Sequence, residues 1–95
     1  MIERHVSYEV PAEKAAEFER FFVDRYRPPV LAMPGLIECI LLRESEDATR
    51  YQMVFRWQTA ENAAAWRTSE VHQALQPDLA ALNTGMHIVA YTKVA

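Results

Sequence analysis

Large apolar side chains occupy every second position of residues 50–58, and this alternation limits the folds that the chain can adopt. The apolar positions are Tyr51, Met53, Phe55 and Trp57. Successive side chains of a β-strand point to opposite faces, so a period of two predicts a strand with one covered face. Residues 2–10 show the same alternation, and Arg4 is the only charge on their apolar side. The apolar positions there are Ile2, Val6, Tyr8 and Val10.

Helical periodicity follows the first predicted strand. Pro11 suits the first position of a helix, and an apolar stripe about 80° wide then recurs at helical spacing. The stripe consists of Ala15, Phe18, Phe22 and Tyr26. Two consecutive prolines, Pro28 and Pro29, predict that this helix is disrupted, because proline lacks an amide donor and clashes with the preceding turn.

Two hydroxyl residues mark a second helical region. Thr59 precedes an alanine-rich segment at residues 60–67, and Ser69 can begin a further helix, because hydroxyl oxygens accept the free N–H groups of a first turn. Pro77 predicts a restart of this helix with proline at its first position. The predicted buried stripe consists of Val71, Leu75, Leu79 and Leu82.

Strands at residues 36–43 and 86–94 complete the order β-α-β-β-α-β. This order predicts one α+β domain over residues 1–95 with a ferredoxin-like fold. Its four antiparallel strands have the spatial order 4-1-3-2, and its helices lie on one face. The strand at residues 36–43 is apolar on both sides. One predicted side contains Ile37, Cys39 and Leu41, and the other contains Leu36, Ile40 and Leu42.

The helices of such a fold cover only one face of the sheet. The other predicted face is mixed and includes Glu3, His5, Gln52, Val54 and Arg56. Because an edge strand that is apolar on both sides needs cover, we expect a two-fold homodimer in which the open faces meet. A monomer with one solvated sheet face is the alternative.

Composition excludes several classes of function. A net charge of −3 with scattered arginines lacks the basic surface that nucleic-acid binding requires. The apolar runs are too short to cross a bilayer, and two glycines cannot form a glycine-rich phosphate loop. The charged stretch MIERHVSYEV predicts no signal peptide, and Cys39 is the single cysteine. We therefore expect a cytoplasmic protein without nucleic-acid or membrane partners.

The stretch RYQMVFRWQTAENAAAWRTSEVHQAL resembles the antibiotic-biosynthesis-monooxygenase-like proteins of the dimeric α/β barrel superfamily. The resemblance rests on a strand ending in Trp57, a capped helix, and Trp66 followed by S-E-V-H. The stretch MPGLIECILLRESED is also similar. The resemblance implies a homodimer whose two sheets close a barrel, with a pocket between sheet and helices in each subunit. Members include cofactor-independent oxygenases acting on quinols and aromatic polyketides.

Two other branches of the superfamily match the chain less well. Heme-degrading members resemble it at Trp66, but their iron-ligating histidine would fall at Gln76. Their asparagine on the first strand is also missing, since no asparagine precedes Asn62. The EthD-like group has a His-x-Pro motif where this chain has YRPP, so that Tyr26 replaces the histidine. Asp78 resembles the late aspartate of that group.

His72 is the candidate base of the implied pocket. It flanks the predicted apolar stripe, and an imidazole titrates near neutrality and can accept a proton. The alternative is a helix-edge histidine bound to a backbone carbonyl or a partner subunit. Trp66 could stack on a planar substrate or only anchor the core. The hydroxyls of Tyr8, Tyr26 and Tyr51 could orient a ligand, although packing alone also explains these residues.

No metal or cofactor site is predicted. No His-x-x-x-His or carboxylate-rich spacing occurs, and His5 and His87 need not be neighbours on paired strands. Arg56 and Arg67 are able to hold an anionic group, and a solvated or interface position explains them as well.

Two functions follow as hypotheses. The first is a cofactor-independent monooxygenase, or a related tailoring enzyme, acting on a small aromatic or quinol-like molecule between sheet and helices. Removal of a phenolic proton would let the electrons of the substrate reach dioxygen. The second is a non-catalytic dimeric barrel that binds a small hydrophobic molecule in a stress or regulatory role. Turnover distinguishes the two.

Overall fold

Four strands and two helical regions follow the predicted order β-α-β-β-α-β, and each helical region contains two α-helices. The computed structural model describes residues 1–95. The strands are β1 (Ile2–Glu9), β2 (Leu36–Arg43), β3 (Arg50–Trp57) and β4 (Gly85–Thr92). The helices are α1 (Ala15–Phe21), α2 (Arg27–Leu31), α3 (Ala60–Arg67) and α4 (Glu70–Ala81). All strand pairs are antiparallel in the order β2-β3-β1-β4, which confirms the predicted ferredoxin-like topology.

The covered face of the sheet carries the core. In the two central strands, Val6 lies opposite Met53 and Tyr8 lies opposite Tyr51, so the alternating apolar residues of β1 and β3 share one face. The apolar residues of β3 on this face are all at most 3% exposed; they are Tyr51, Met53, Phe55 and Trp57. Helices that pack over these large apolar side chains remove them from water. The free energy gained by this burial holds the helices against the sheet.

A β-bulge changes the predicted faces of β2. The register shifts between Leu36 and Glu38, because one extra residue of β2 stands against β3 there. Leu36 therefore packs towards the core on the same side as Cys39, and Ile37 is 52% exposed. The prediction that Ile37 shares a side with Cys39 was wrong, since the extra residue reverses the alternation before the bulge. On the open face, Ile40 lies opposite Val54.

The first helical region continues through its prolines, contrary to the prediction of a break. A π-helical turn, Phe22–Tyr26, joins α1 to α2, and the N–H of Arg27 donates to the carbonyl of Phe22, five residues earlier. Pro28 then falls in the first turn of α2, where a missing amide donor is tolerated. The wider turn thus lets the chain absorb two prolines and continue in the same direction.

The second helical region contains two capped helices. The side chain of Thr59 accepts the N–H of Asn62, and the side chain of Ser69 accepts the N–H of His72, so both predicted N-caps are confirmed. Gly35, at φ 81, lies tightly against the side chain of Asn62, which leaves no room for a β-carbon. These contacts fix α3 against the turn that precedes β2.

Pro77 lies inside α4 without ending it, so the predicted restart is wrong. Leu75 and Leu79, on either side of the proline, are both buried. A proline in a helix interior costs about 3 kcal/mol, and burial of each leucine contributes about 1.5–3 kcal/mol, which offsets that cost. Val71 is 49% exposed, so the buried stripe of this helix begins at Leu75 rather than at the predicted Val71.

The open face of the sheet carries a connected set of polar side chains. His5 Nε2 lies 2.6 Å from Glu3 Oε2, and the amide nitrogen of Gln52 lies 2.7 Å from His5 Nδ1. The guanidinium of Arg56 donates to Glu3 Oε1 over 2.8 Å. These partners hold the pKa of Glu3 below its usual range, through the His5 and Arg56 hydrogen bonds. Val54, on the same face, is only 5% exposed.

Candidate functional site

A cavity of about 130 Å³ lies between the sheet and the second helical region. β1, β3 and β4 contribute to its wall, together with the π-helical turn, α3 and α4. Its buried wall consists of Val6, Tyr8, Tyr26, Phe55 and Trp66. Met86 and Ile88 of β4 are 53% and 43% exposed and form its rim. The cavity thus has an aromatic interior and an apolar opening.

Larger surface depressions occur elsewhere on the protein. The largest, of about 520 Å³, lies between the first and second helical regions and is lined mainly by charged side chains. The charged lining includes Glu17, Asp24 and Asp78. The small cavity differs because buried aromatic rings meet polar groups in it, as is typical of sites for small molecules.

Six of the nine residues that line the depression of about 520 Å³ are charged, and the remaining three are hydrophobic. The charged residues are Lys14, Glu17, Arg20, Asp24, Arg25 and Asp78. A depression lined mainly by charged side chains offers little apolar surface to an aromatic molecule.

Four of the five predicted site residues line the small cavity together. Tyr8, Tyr26, Trp66 and His72 come from four different elements of the chain. Tyr51 does not line it, because its ring packs against Phe18 at a centroid distance of 4.9 Å and its hydroxyl donates to a carboxylate of Glu19 over 2.5 Å. Asp78, compared above with the EthD-like group, forms an ion pair with Arg25 outside the cavity.

His72 is positioned by the start of α4. Its backbone N–H donates to the Ser69 hydroxyl over 3.1 Å, and its ring lies edge-on to Trp66 with centroids 5.2 Å apart. Nδ1 is buried without a hydrogen-bond partner, whereas Nε2 lies 3.2 Å from the amide nitrogen of Gln76. Because Nδ1 is enclosed by the protein, Nε2, beside Gln76, is the ring nitrogen that remains for contact with a ligand.

Burial lowers the pKa of His72; the backbone of Arg67 opposes this shift, and the positive charges of Arg4 and Arg67 add to it. A lowered pKa keeps the imidazole neutral at neutral pH, so that one ring nitrogen carries a lone pair that is able to accept a proton. The side chain is therefore suited to accept a proton from a ligand.

The tyrosines of the cavity keep their hydroxyl protons. Burial raises the pKa of Tyr8 and raises the pKa of Tyr26 to about 12. The ring of Tyr26 is nearly perpendicular to that of Trp66, with centroids 5.7 Å apart, so the π-helical turn places Tyr26 against α3. Neutral hydroxyl groups beside aromatic rings can donate hydrogen bonds to an oxygen atom of a ligand.

Three further polar residues line the cavity, and of these the sequence pointed only to Arg67, as a residue able to hold an anionic group. Arg4 and Arg67 stand in the wall with Gln76, and no carboxylate lines the cavity. Burial lowers the pKa of Arg4, and the charge of Arg67 lowers it further. The sequence did contain a signal for Arg4, because it is the one charge on the apolar side of β1.

The remaining polar groups offer no metal centre. No group of three histidine, cysteine, aspartate or glutamate side chains is placed to hold a metal ion. Cys39 is a free, buried thiol, and burial raises its pKa to about 12, so it is a poor nucleophile. No helix has the length and apolar character needed to cross a bilayer.

Comparison with protein families gives one match. The family model described as antibiotic biosynthesis monooxygenase matches residues 1–78. Among curated proteins, none matches this chain.

Solved structures share the fold over nearly the whole chain. A Deinococcus radiodurans protein assigned as an antibiotic biosynthesis monooxygenase has a TM-score of 0.90 at 16% identity, and the match covers 100% of this chain and 94% of that one. A conserved protein from Methanosarcina mazei Go1 has a TM-score of 0.89 at 20% identity, covering 98% and 92%. SnoaB, a cofactor-independent oxygenase from Streptomyces nogalater, was solved as the mutant N63A. It has a TM-score of 0.87 at 21% identity, covering 97% and 91%.

Proposed function

This chain belongs to the antibiotic biosynthesis monooxygenase family, and we propose that it is a cofactor-independent monooxygenase acting on a small aromatic, quinol-like molecule. The substrate would bind in the cavity between the sheet and the second helical region. The observation that carries the proposal is the meeting of a neutral imidazole, His72, with the aromatic wall formed by Tyr8, Tyr26 and Trp66. The description of SnoaB as a cofactor-independent oxygenase is consistent with this chemistry.

The proposed reaction begins with proton removal. His72 Nε2 accepts a phenolic proton, and the resulting phenolate is electron-rich enough to reduce dioxygen. One oxygen atom then replaces a ring hydrogen, and the other leaves as water. A quinol and one dioxygen thus give a hydroxyquinone and one water, so that the substrate supplies all four electrons. Tyr8 and Tyr26 donate hydrogen bonds to the substrate oxygens, and Trp66 holds the ring in place.

The size of the cavity sets the size of the substrate. Its volume of about 130 Å³ is close to the roughly 150 Å³ of an engineered apolar cavity that binds benzene. A single aromatic ring therefore fits between the walls. Substituents on that ring would extend past the rim formed by Met86 and Ile88, where the side chains are exposed.

Oxygen uptake with a panel of single-ring quinols tests the proposal. We expect protein-dependent consumption of dioxygen, with one atom of labelled dioxygen in the product and one in water. The Tyr51→Phe variant is the control, because Tyr51 lies outside the cavity and should leave the rate unchanged. Full activity in the double variant His72→Ala, Trp66→Ala would remove the assignment. Thermal stabilisation by a quinol without any turnover would instead indicate the non-catalytic binding protein.

A homodimer is the second part of the proposal. The chain is a slab of 36 × 31 × 18 Å, with helices on one side of the sheet only. On the open side, Val54 and its neighbour Ile40 are apolar, Leu42 is 49% exposed, and the nearby Glu3 and Arg56 already neutralise each other. A mixed surface whose charges are paired internally can meet an identical copy at low electrostatic cost.

Sedimentation of a matched pair of variants tests the dimer. We expect the native protein to sediment with twice the 11.0 kDa mass of one chain. Leu42→Asp on the open face should yield the single-chain mass, because it places an unpaired charge in the interface. Val71→Asp is the control, since Val71 is also 49% exposed but lies on α4. A native protein that sediments as a single chain at micromolar concentration contradicts the dimer.

A further inference from the structure

Two arginines of the cavity wall have no acidic partner. Arg4 comes from β1 and is half-buried, and Arg67 is the last residue of α3. Neither side chain forms an ion pair within the chain. Four other arginines do pair with carboxylates; they are Arg25, Arg43, Arg50 and Arg56.

This arrangement is unfavourable for the empty cavity. The chain has a net charge of −3, so acidic side chains outnumber basic ones, yet none of them lines the cavity. Arg4 and Arg67 instead repel each other, and partial burial removes water from Arg4. A partly desolvated cation without a counterion raises the energy of the protein, and a bound anion lowers it.

We propose that Arg4 and Arg67 make the cavity selective for an aromatic molecule that carries a negatively charged oxygen, either a phenolate or a carboxylate. The ring occupies the aromatic wall of Tyr26 and Trp66, and the charged oxygen lies towards the guanidinium groups. Guanidinium groups suit this task because their planar donors match the geometry of an oxyanion.

The selectivity has a role in the proposed reaction, and in this respect it rests on the proposed function. The proton taken by His72 leaves a phenolate in the cavity. Arg4 and Arg67 stabilise that phenolate relative to the neutral phenol, so they favour the form of the substrate that can react with dioxygen. They also favour the neutral form of His72 before the proton is transferred.

Binding of benzoate and of its neutral analogue benzamide tests the inference without any turnover. By calorimetry at low ionic strength, we expect the native protein to bind benzoate at least about tenfold more tightly than benzamide. Arg4→Gln and Arg67→Gln should each reduce this affinity ratio to less than about threefold. Arg4→Lys keeps the positive charge, so its ratio should lie between that of the native protein and that of Arg4→Gln. Arg20→Gln is the control, because it removes the same charge from an exposed position outside the cavity.

Equal affinity of the native protein for benzoate and benzamide overturns the inference, as does a ratio that neither Arg4→Gln nor Arg67→Gln changes. Arg67 is exposed, so its variant remains informative if the Arg4 variant fails to fold. To separate phenolates from carboxylates, the absorbance of bound 4-nitrophenol reports the fraction of phenolate, which we expect to rise on binding. A preference for benzoate without oxidation of any quinol supports charge selectivity and contradicts only the proposed function.

Discussion

Replacing His72 with alanine is expected to lower kcat/KM for quinol oxidation by about 100-fold or more, because a positioned general base contributes on that scale. Folding should change little. The contact between Ser69 and the start of α4 uses the backbone N–H of residue 72, which alanine retains. Steady-state oxygen uptake measures the first effect, and thermal unfolding of the same sample measures the second.

The pH dependence separates a base from a residue that only shapes the cavity. A base acts in its neutral form, so kcat/KM of the native protein should fall as the pH drops through the pKa of His72, which lies below its ordinary value of 6.5. The His72→Ala variant should lose this acidic limb. A variant that is slow but keeps the same limb assigns the proton transfer to another group. The Gln76→Ala variant is a useful comparison, because it removes the neighbour of Nε2 and leaves the imidazole.

Replacing Trp66 with alanine is expected to destabilise the protein by about 3–5 kcal/mol, the usual cost of deleting a buried aromatic ring. Trp66 is 1% exposed and packs edge-on against both Tyr26 and His72. For a domain of this size, each kcal/mol corresponds to about 4–8 °C in Tm, so the loss should amount to roughly 12–40 °C.

Two further variants serve as comparisons for the stability loss expected of Trp66→Ala. Trp66→Phe keeps a ring in the same place and should recover a large part of the stability. Val71→Ala truncates an exposed apolar side chain on α4 and should change the free energy of unfolding by no more than about 0.5 kcal/mol. If Trp66→Ala melts within 2–3 °C of the native protein, on the order of the surface variant, the ring is not an anchor between α3 and the sheet.

The strands and helix starts were predictable because each rests on local chemistry. The alternation of residues 50–58 identified the covered face of β3, and the hydroxyls of Thr59 and Ser69 identified the first residues of α3 and α4. Side-chain alternation and N-capping each involve only a few neighbouring residues. The sequence alone therefore contains the information needed to predict these strands and helix starts.

The irregular features were not predictable in the same way. The π-helical turn replaces hydrogen bonds between residues four apart with bonds between residues five apart, and no residue type demands that change. The bulge before Glu38 and the uninterrupted passage of α4 through Pro77 likewise depend on how neighbouring elements pack. Contacts between distant parts of the chain determine these irregular features.

The candidate site was likewise predictable only in part from the sequence. Tyr8 and Tyr51 lie directly opposite each other on the covered face, so the sequence pattern treats them alike. Phe18 packs against both rings, at 5.5 Å and 4.9 Å, but Tyr51 reaches Glu19 whereas Tyr8 lines the cavity. The direction of each tyrosine is set by α1, whose contacts with the sheet cannot be derived from the alternation.

The rim of the cavity comes from β4, and this has a consequence for how such a protein can diversify. No residue of β4 is buried, and the strand lies beyond residues 1–78, which carry the family match. Substitutions at exposed positions usually change the free energy of unfolding by less than about 0.5 kcal/mol. Met86 and Ile88 can therefore be exchanged with little loss of stability. Descendants of one ancestor could acquire new ligand preferences by substitutions at this rim, while the buried aromatic wall of the cavity stays unchanged.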